Sequence, residues 1–136
     1  PVLTGIVCRA RLRDVDDRLI RFCELVQKAL WLKTGRSLVV VCGHRGEADQ
    51  ETAYRKGASK ARFGQSAHNT LPSVAVDIAP SGATGGIDWD VRGSAWVALL
   101  RIAREVALAE GTPVDWGRSM FSGDEGHVEL QGWRDK

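Results

Sequence analysis

The chain has 136 residues, enough for one hydrophobic core and therefore for one domain. Hydrophobic residues make up 43% of it and charged residues 26%, as in ordinary globular proteins. Nineteen basic against 17 acidic side chains leave a net charge of +2, which is too small to indicate a nucleic-acid-binding surface. No apolar run approaches the roughly 18 residues of a membrane span, and the N-terminus lacks a signal-peptide pattern. We therefore expect neither nucleic-acid binding nor membrane insertion.

The cysteines are Cys8, Cys23 and Cys42, widely spaced and without a Cys-x-x-Cys pair. An odd number with this spacing argues against both a disulfide framework and a thiolate metal site. Cys23 and Cys42 lie inside apolar patterns. We therefore expect the cysteines to be small buried hydrophobic residues.

The first half of the chain predicts a helix, a strand and a shorter helix. Apolar residues recur at spacings of three and four from about 14 to 33, and Thr34-Gly35 is a stop signal, which predicts a helix after an irregular lead-in. The β-branched run 37–43 predicts a buried strand. A short helix is expected at 48–56, followed by a basic, glycine-punctuated loop to residue 65.

The second half continues with a strand over residues 73–79, followed by a Gly- and Ser-rich loop at 80–90. That loop lacks the Gly-Lys-Ser/Thr of a phosphate cradle. A second long helix is predicted at 93–109, since Gly111 and Pro113 end its apolar pattern. Short strands are expected at 114–116 and 128–130.

Two stretches carry candidate metal ligands. Residues 66–77 contain His68 and, nine residues later, Asp77, and residues 116–130 contain His127. Alternation along a strand places Asp77 opposite the apolar side chains of its own segment, and does the same for His127. If the two strands pair, both residues face one cleft. Two imidazoles, one carboxylate and a separate acid are the components of a catalytic zinc site.

The separate acid lies in the glycine-flanked segment 123–126, which contains Asp124 and Glu125. Either carboxylate can act as a general base if the turn folds back over a metal. The alternative is an acidic turn on the surface.

These motifs resemble those of a family of zinc peptidases. The shared elements are Ser66-Ala67-His68 with Ala75-Val76-Asp77, then Trp116-Gly117, and then Asp124-x-x-His127. The resemblance extends upstream through Gly43-His44-Arg45, Gln50, Tyr54 and 57–60, and so covers about residues 38–130. The family comprises D-alanyl-D-alanine carboxypeptidases and dipeptidases and the L-alanyl-D-glutamate peptidases of phage endolysins. It implies an α+β fold with a small antiparallel sheet, helices packed on one side and a zinc site in the cleft on the other, as in hedgehog and DD-peptidase domains.

The resemblance also implies residue roles. Zn2+ would be held by His68, Asp77 and His127, and Asp124 would be the catalytic base. Arg45 would stabilise the tetrahedral oxyanion, while the expected substrate-binding residues are Ser66, Gln50 and Ser59. His44 has no spacing partner and is expected to be structural. One departure is the spacing from His68 to Asp77, which is nine residues here and seven in the family's common pattern, so the loop around 71–73 is longer.

The resulting expectation is a zinc-dependent peptidase that cuts the L-Ala–D-Glu bond of peptidoglycan stem peptides. The alternatives are a D-alanyl-D-alanine carboxypeptidase or dipeptidase, and a zinc-containing wall-binding module without catalysis. We expect residues 1–136 to form a single catalytic domain, with no separate wall-binding domain, that acts as a monomer. An endolysin of this kind would be made in the host cytoplasm without a signal peptide. It would reach the cell wall in the periplasm after membrane permeabilisation, and so contribute to host lysis by a bacteriophage.

Overall fold

A computed structural model describes residues 5–117 and 125–133. The helices and strands are α1 (Asp17–Thr34), β1 (Leu38–Cys42), α2 (Glu47–Arg55), β2 (Ala75–Pro80), α3 (Ser94–Glu110), β3 (Val114–Trp116) and β4 (His127–Leu130). Short 3-10 helices cover Arg9–Leu12 and Ala67–Asn69. The predicted helices and strands are all present, and their ends differ from the prediction by three residues or fewer.

The strands form a four-stranded antiparallel sheet in the order β1-β2-β4-β3. β2 and β4 pair so that Asp77 lies directly opposite His127 and Val76 opposite Val128. Residues directly opposite each other in an antiparallel pair share a face of the sheet. The sheet therefore separates an apolar face from a face that carries the predicted ligands, as alternation along the two strands predicted.

Both long helices pack against each other and against the apolar face of the sheet. Asp16 caps the N-terminus of α1, where its Oδ1 accepts a hydrogen bond of 2.9 Å from the Arg18 backbone N–H, and Gly35 with a φ of 72° caps the C-terminus. Both are common helix-terminating arrangements. None of the helices within the described ranges is long and apolar enough to cross a membrane. The α+β fold with helices on one side of an antiparallel sheet is confirmed.

One irregularity in β1 changes the environment of Cys42. Val40 pairs with Ile78, but Cys42 pairs with Asp77, so Val41 is an extra residue and forms a β-bulge. Simple alternation from Val40 would turn Cys42 toward the helices. The bulge instead places Cys42 on the face of Asp77, because a bulge re-aims the side chains that follow it.

The cysteine prediction was therefore wrong for two of the three residues. Cys23 is fully buried in the core, as expected, whereas Cys42 is only partly buried and Cys8 is exposed. Cys8 lies before the first 3-10 helix with a φ of 60°, outside the apolar pattern of α1. An odd cysteine count without paired spacing gave no information about either environment.

The lengthened loop before β2 is attached to the beginning of α1. The Ser73 backbone N–H donates to the Asp14 carbonyl at 2.6 Å, and the Asp16 N–H donates to the Ser73 carbonyl at 2.8 Å. Ser73 is fully buried, whereas Leu71 is 71% exposed. The base of the loop is therefore anchored, while its tip is exposed to solvent.

Candidate metal centre

The three predicted metal ligands lie together on the sheet face opposite the helices. Nδ1 of His127 is 2.8 Å from Oδ1 of Asp77, and Nε2 of His68 is 3.3 Å from the same oxygen. The two imidazole rings have centroids 5.2 Å apart in an edge-on arrangement. Two ring nitrogens and one carboxylate oxygen therefore converge on one point.

His68 is positioned by the segment that precedes it. Ser66 Oγ accepts from the His68 backbone N–H at 3.2 Å and begins the 3-10 helix, with Asn69 completing a capping box. The His68 ring places Nδ1 2.7 Å from the Gly43 carbonyl. Because a carbonyl only accepts, Nδ1 carries the proton and Nε2 faces Asp77. A side chain at Gly43 would overlap the Arg11 carbonyl, so only glycine lets the segment around Arg11 pack this closely against the residue whose carbonyl holds His68.

His127 is positioned by Glu129, two residues along the same strand. Nε2 of His127 is 2.8 Å from Oε1 of Glu129, and Oε2 accepts a hydrogen bond of 2.6 Å from the Trp133 indole. Glu129 is only 2% exposed. Its carboxylate therefore holds the proton of His127 on Nε2 and leaves Nδ1 directed at Asp77. Alternation along β4 had placed Glu129 on this face, but assigned it no role.

Cys42 is the residue of this site that sequence reasoning missed. Its Sγ and the ligand atoms of His68 and Asp77 all lie within 4.8 Å of one another, a grouping suited to a metal ion. His127 is not part of that compact group, and its link to the centre is its contact with Asp77. The Cys42 thiol also lies 3.3 Å from Nη2 of Arg45. The prediction that no cysteine belongs to a metal site was made from spacing along the sequence, which does not register a bulge.

The electrostatics of the metal-free centre are those of a carboxylate between two cations. Burial by itself lowers the pKa of both imidazoles. The Asp77 carboxylate outweighs it, together with Cys42 at His68 and Glu129 at His127, so the pKa of His68 rises to about 10 and that of His127 to about 9. Burial raises the pKa of Asp77, but the two imidazoles hold it well below its usual range. Burial also raises the pKa of the Cys42 thiol, yet the neighbouring His68 and Arg45 leave it lowered overall.

The donor set fits Zn2+. Imidazole nitrogen, carboxylate oxygen and thiolate sulfur are the three donor types that zinc takes in proteins. Without a metal, protons on the imidazoles supply the positive charge that Asp77 requires, and metal binding would release them. His44, expected to be structural, is not part of the compact group of metal-ligating side chains found in the described residues.

A hydrogen-bond network connects Arg45 to the loop beside the centre. Nη1 of Arg45 donates to Oε1 of Gln50 at 3.0 Å, and Nε2 of Gln50 donates to Ser59 Oγ at 3.0 Å and to the Ala61 carbonyl at 2.6 Å. Asn69 also donates to Gln50 Oε1 at 3.1 Å. Gln50 is fully buried. The network ties α2 to the segment carrying His68.

This network bears on the expected substrate-binding residues. The side chains of Gln50, Ser59 and Ser66 are engaged within the protein, which favours positioning roles for them, and their contact with substrate stays a prediction. Arg45 reaches the centre through Nη2, which donates a hydrogen bond of 3.3 Å to Sγ of Cys42. Asp124, the expected base, lies outside the described residues, while its rival Glu125 is half-buried in the turn before β4.

An antiparallel sheet with helices on one face defines an α+β protein, and a His–Asp–His cluster lies on the other face of the sheet. A solved structure that shares this fold is the L-Ala D-Glu endopeptidase ChiX of Serratia marcescens. The two chains are 23% identical, with a TM-score of 0.67, and the match covers 96% of this chain and 91% of that one. At this identity the match establishes the fold. No family model matches the chain, and no curated protein matches it in sequence.

Proposed function

We propose that the protein is a zinc-dependent peptidoglycan peptidase that hydrolyses the L-Ala–D-Glu bond of stem peptides. The observation that carries the proposal is the convergence of His68 Nε2 and His127 Nδ1 on Asp77 Oδ1, with both imidazoles oriented through their other nitrogens. Three protein donors of this kind are typical of catalytic zinc sites. The fold shared with an L-Ala D-Glu endopeptidase supports the choice of bond.

In this proposal His68, Asp77 and His127 hold the metal. Zinc bound there would lower the pKa of a water molecule to about 7 and polarise the scissile carbonyl. Asp124 accepts the proton released when the carbonyl is attacked and passes it to the departing D-Glu nitrogen. The Gly43 carbonyl and the Glu129 carboxylate keep the imidazole protons on the nitrogens that face away from the centre.

Arg45 is proposed to stabilise the negative charge that develops on the carbonyl oxygen. Its guanidinium offers several donors in a plane, of which Nη1 is held by Gln50 and Nη2 lies beside Cys42 at the edge of the centre. Because Gln50 is buried and bonded on both ends of its amide, the guanidinium is held in a defined position. A donor that is already oriented stabilises charge without reorganising during the reaction.

The substrate in this proposal is the cell-wall stem peptide. The proposal also includes the physiological role expected from the resemblance, which is host lysis by a bacteriophage. The proposal takes residues 1–136 as a single catalytic domain that acts as a monomer.

The test is digestion of purified peptidoglycan followed by identification of the new termini by mass spectrometry. Zinc-loaded protein should expose L-Ala carboxyl groups and D-Glu amino groups, and a chelator should abolish both. Asp77→Asn, which replaces a charged oxygen donor with a neutral amide, should weaken metal binding and release no termini.

Each alternative function gives a different result in this digestion. Cleavage between two D-Ala residues would replace the proposed bond with the carboxypeptidase or dipeptidase reaction. Zinc binding without any new termini would contradict hydrolysis and favour a wall-binding module.

A further inference from the structure

The position of Cys42 points to a role for its thiol at the metal centre. The bulge at Val41 places Cys42 opposite Asp77, on the sheet face that carries the proposed ligands. A strand without the bulge would have turned this thiol into the core. A backbone irregularity therefore brings a strong zinc-binding atom to a site that already has two imidazoles and a carboxylate.

The distances place the thiol within reach of a shared ion. Sγ of Cys42 and the ligand atoms of His68 and Asp77 lie within 4.8 Å of one another. Two atoms that bind the same zinc at about 2.0–2.3 Å are separated by less than about 4.6 Å. Small side-chain movements are therefore enough for Cys42 to join the other donors.

Adding Cys42 to the three proposed ligands changes the character of the centre. Four protein donors are typical of closed zinc sites, whereas hydrolytic sites keep one position open. A bound thiolate would occupy the position that catalysis requires. The thiol must therefore leave the metal whenever the centre is active.

Arg45 is a further partner of the thiol, besides the proposed metal ligands. Nη2 of Arg45 lies 3.3 Å from Sγ, and its Nη1 is held by the buried Gln50. A thiolate displaced from the metal would thus remain beside a fixed positive charge. The thiol therefore keeps a hydrogen-bond donor beside it whether or not it binds the metal.

We propose that Cys42 is a fourth, exchangeable ligand of the metal held by His68, Asp77 and His127, and that it closes the centre when substrate is absent. The inference rests on the proposed zinc site. When substrate enters, Sγ dissociates and the position opens, which is a ligand exchange without any change in oxidation state.

The primary test is the absorption spectrum of the cobalt-substituted protein. Protein freed of metal and loaded with one equivalent of Co2+ should show a near-ultraviolet sulfur-to-cobalt charge-transfer band. Cys42→Ser should bind one equivalent of Co2+ and lose the band. Cys8→Ser, which changes an exposed thiol of the same chain, should retain it. Circular dichroism of each variant verifies the fold, and Cys42→Ala provides a second substitution if the serine variant fails to fold.

The outcomes separate this inference from the proposed peptidase function. Cobalt bound without the band, or a band that persists in Cys42→Ser, overturns the Cys42 ligand and leaves the peptidase proposal intact. A band in the parent protein with no hydrolysis of peptidoglycan by any variant overturns the peptidase and leaves the ligand. Failure of the parent and of both variants to bind cobalt overturns both.

Kinetics test the exchange itself. If the thiolate competes for the open position, zinc-loaded Cys42→Ser should have a higher kcat/KM than the parent, because no ligand has to be displaced. A lower kcat/KM, together with a charge-transfer band in the parent, would make Cys42 a permanent ligand and overturn the exchange.

Discussion

At the scale of single residues, each histidine of the centre uses one ring nitrogen for an orienting hydrogen bond and directs the other toward the centre. His68 uses Nδ1 on the Gly43 carbonyl, and His127 uses Nε2 on the Glu129 carboxylate. The remaining nitrogens face Asp77. The orientation of each ligand thus depends on a partner that does not itself bind the metal, which makes those partners testable.

The acid before β4 distinguishes an enzyme from a zinc-binding relic. Asp124→Asn preserves the shape of the side chain but removes the proton acceptor, so we expect the catalytic rate to fall by on the order of 100-fold or more while zinc content stays unchanged. Glu125→Gln, at the next position in the sequence, is the matched control and should have little effect. Steady-state kinetics and metal analysis on both variants provide the measurement. Inactivation by the Glu125 change alone would move the base by one residue.

Arg45→Lys should reduce turnover with little change in Tm. A lysine ammonium cannot reproduce the planar set of donors that Arg45 directs at Gln50 and Cys42. The buried Gln50 oxygen keeps its bond from Asn69, so the stability cost is small. Arg55→Lys, on the exposed side of α2, is the control for the type of substitution. A large drop in Tm for the Arg45 variant alone would instead identify Arg45 as a structural residue.

Glu129→Gln should weaken zinc binding by roughly 10- to 100-fold, the usual cost of losing a partner of a metal-bound histidine. The two carboxylate oxygens of Glu129 accept hydrogen bonds from His127 and Trp133. A glutamine would replace one of these acceptors with an NH2 group, which faces a donor and cannot accept its hydrogen bond. Competition with a chromophoric chelator measures the affinity. Asp115→Asn is the control: Asp115 pairs with Glu129 on the neighbouring strand β3, and the change should leave the affinity unchanged. Equal affinities for the parent and the Glu129 variant would show that His127 is oriented by other contacts.

At the scale of secondary structure, the close approach of two strands sets the separation of Asp77 and His127. Gly126 precedes β4, and its carbonyl accepts the Ile78 N–H at 2.9 Å. A Cβ at this position would overlap the Ile78 carbonyl and press on the Trp96 ring. The absence of a side chain is therefore a condition for the pairing of β2 with β4.

Gly126→Ala should lower the free energy of unfolding by about 1–3 kcal/mol, the range for overpacking against rigid neighbours. Denaturant titration measures the change. Gly46→Ala is the control, since a Cβ there meets no atom within 4 Å, and it should cost much less. Equal effects of the two changes would mean that β4 shifts away from β2 without penalty.

At the scale of the whole molecule, a sheet covered by helices on one side buries a charged centre on the other. Within the described residues, Asp77 and the two histidines bring opposite charges together, with side chains that are 3–24% exposed. The protonation of these groups is therefore coupled to folding.

Metal-free protein should lose stability as the pH rises from about 6.5 to about 9–10. The pKa of His68 is raised from 6.5 to about 10 and that of His127 to about 9. A raised pKa contributes stability that is complete below the unfolded value of 6.5 and is lost as the pH passes through the folded value. Denaturant titrations at several pH values in the presence of a chelator measure this dependence.

Asp77→Asn is the control, because it removes the carboxylate that contributes to both raised pKa values, and it should make the loss of stability smaller. Added zinc should abolish this loss for the parent protein, because zinc-bound imidazoles are unprotonated in the folded state, as they are in the unfolded chain above pH 6.5. Stability that rises with pH in the metal-free parent would contradict the ionic arrangement.

The sequence by itself determined the helices and strands. For β2 and β4 it also determined which side chains lie on the face away from the core. Periods of 3.6 and 2 are local properties, so α1, α3 and the outward direction of Asp77 and His127 followed from spacing alone. The ligand set came from a motif resemblance, and the structure brings its three members together.

Only the tertiary structure decided the surroundings of those ligands. Cys42 lies opposite Asp77 because β1 has a bulge where it pairs with β2. The register of a strand pair depends on both strands, so the sequence of one strand does not determine it. His68 finds its carbonyl partner on Gly43, which is 25 residues away along the chain. Spacing along a sequence indicates which side chains share a face of a helix or strand. Contacts between distant segments depend on how those segments pack in the folded protein.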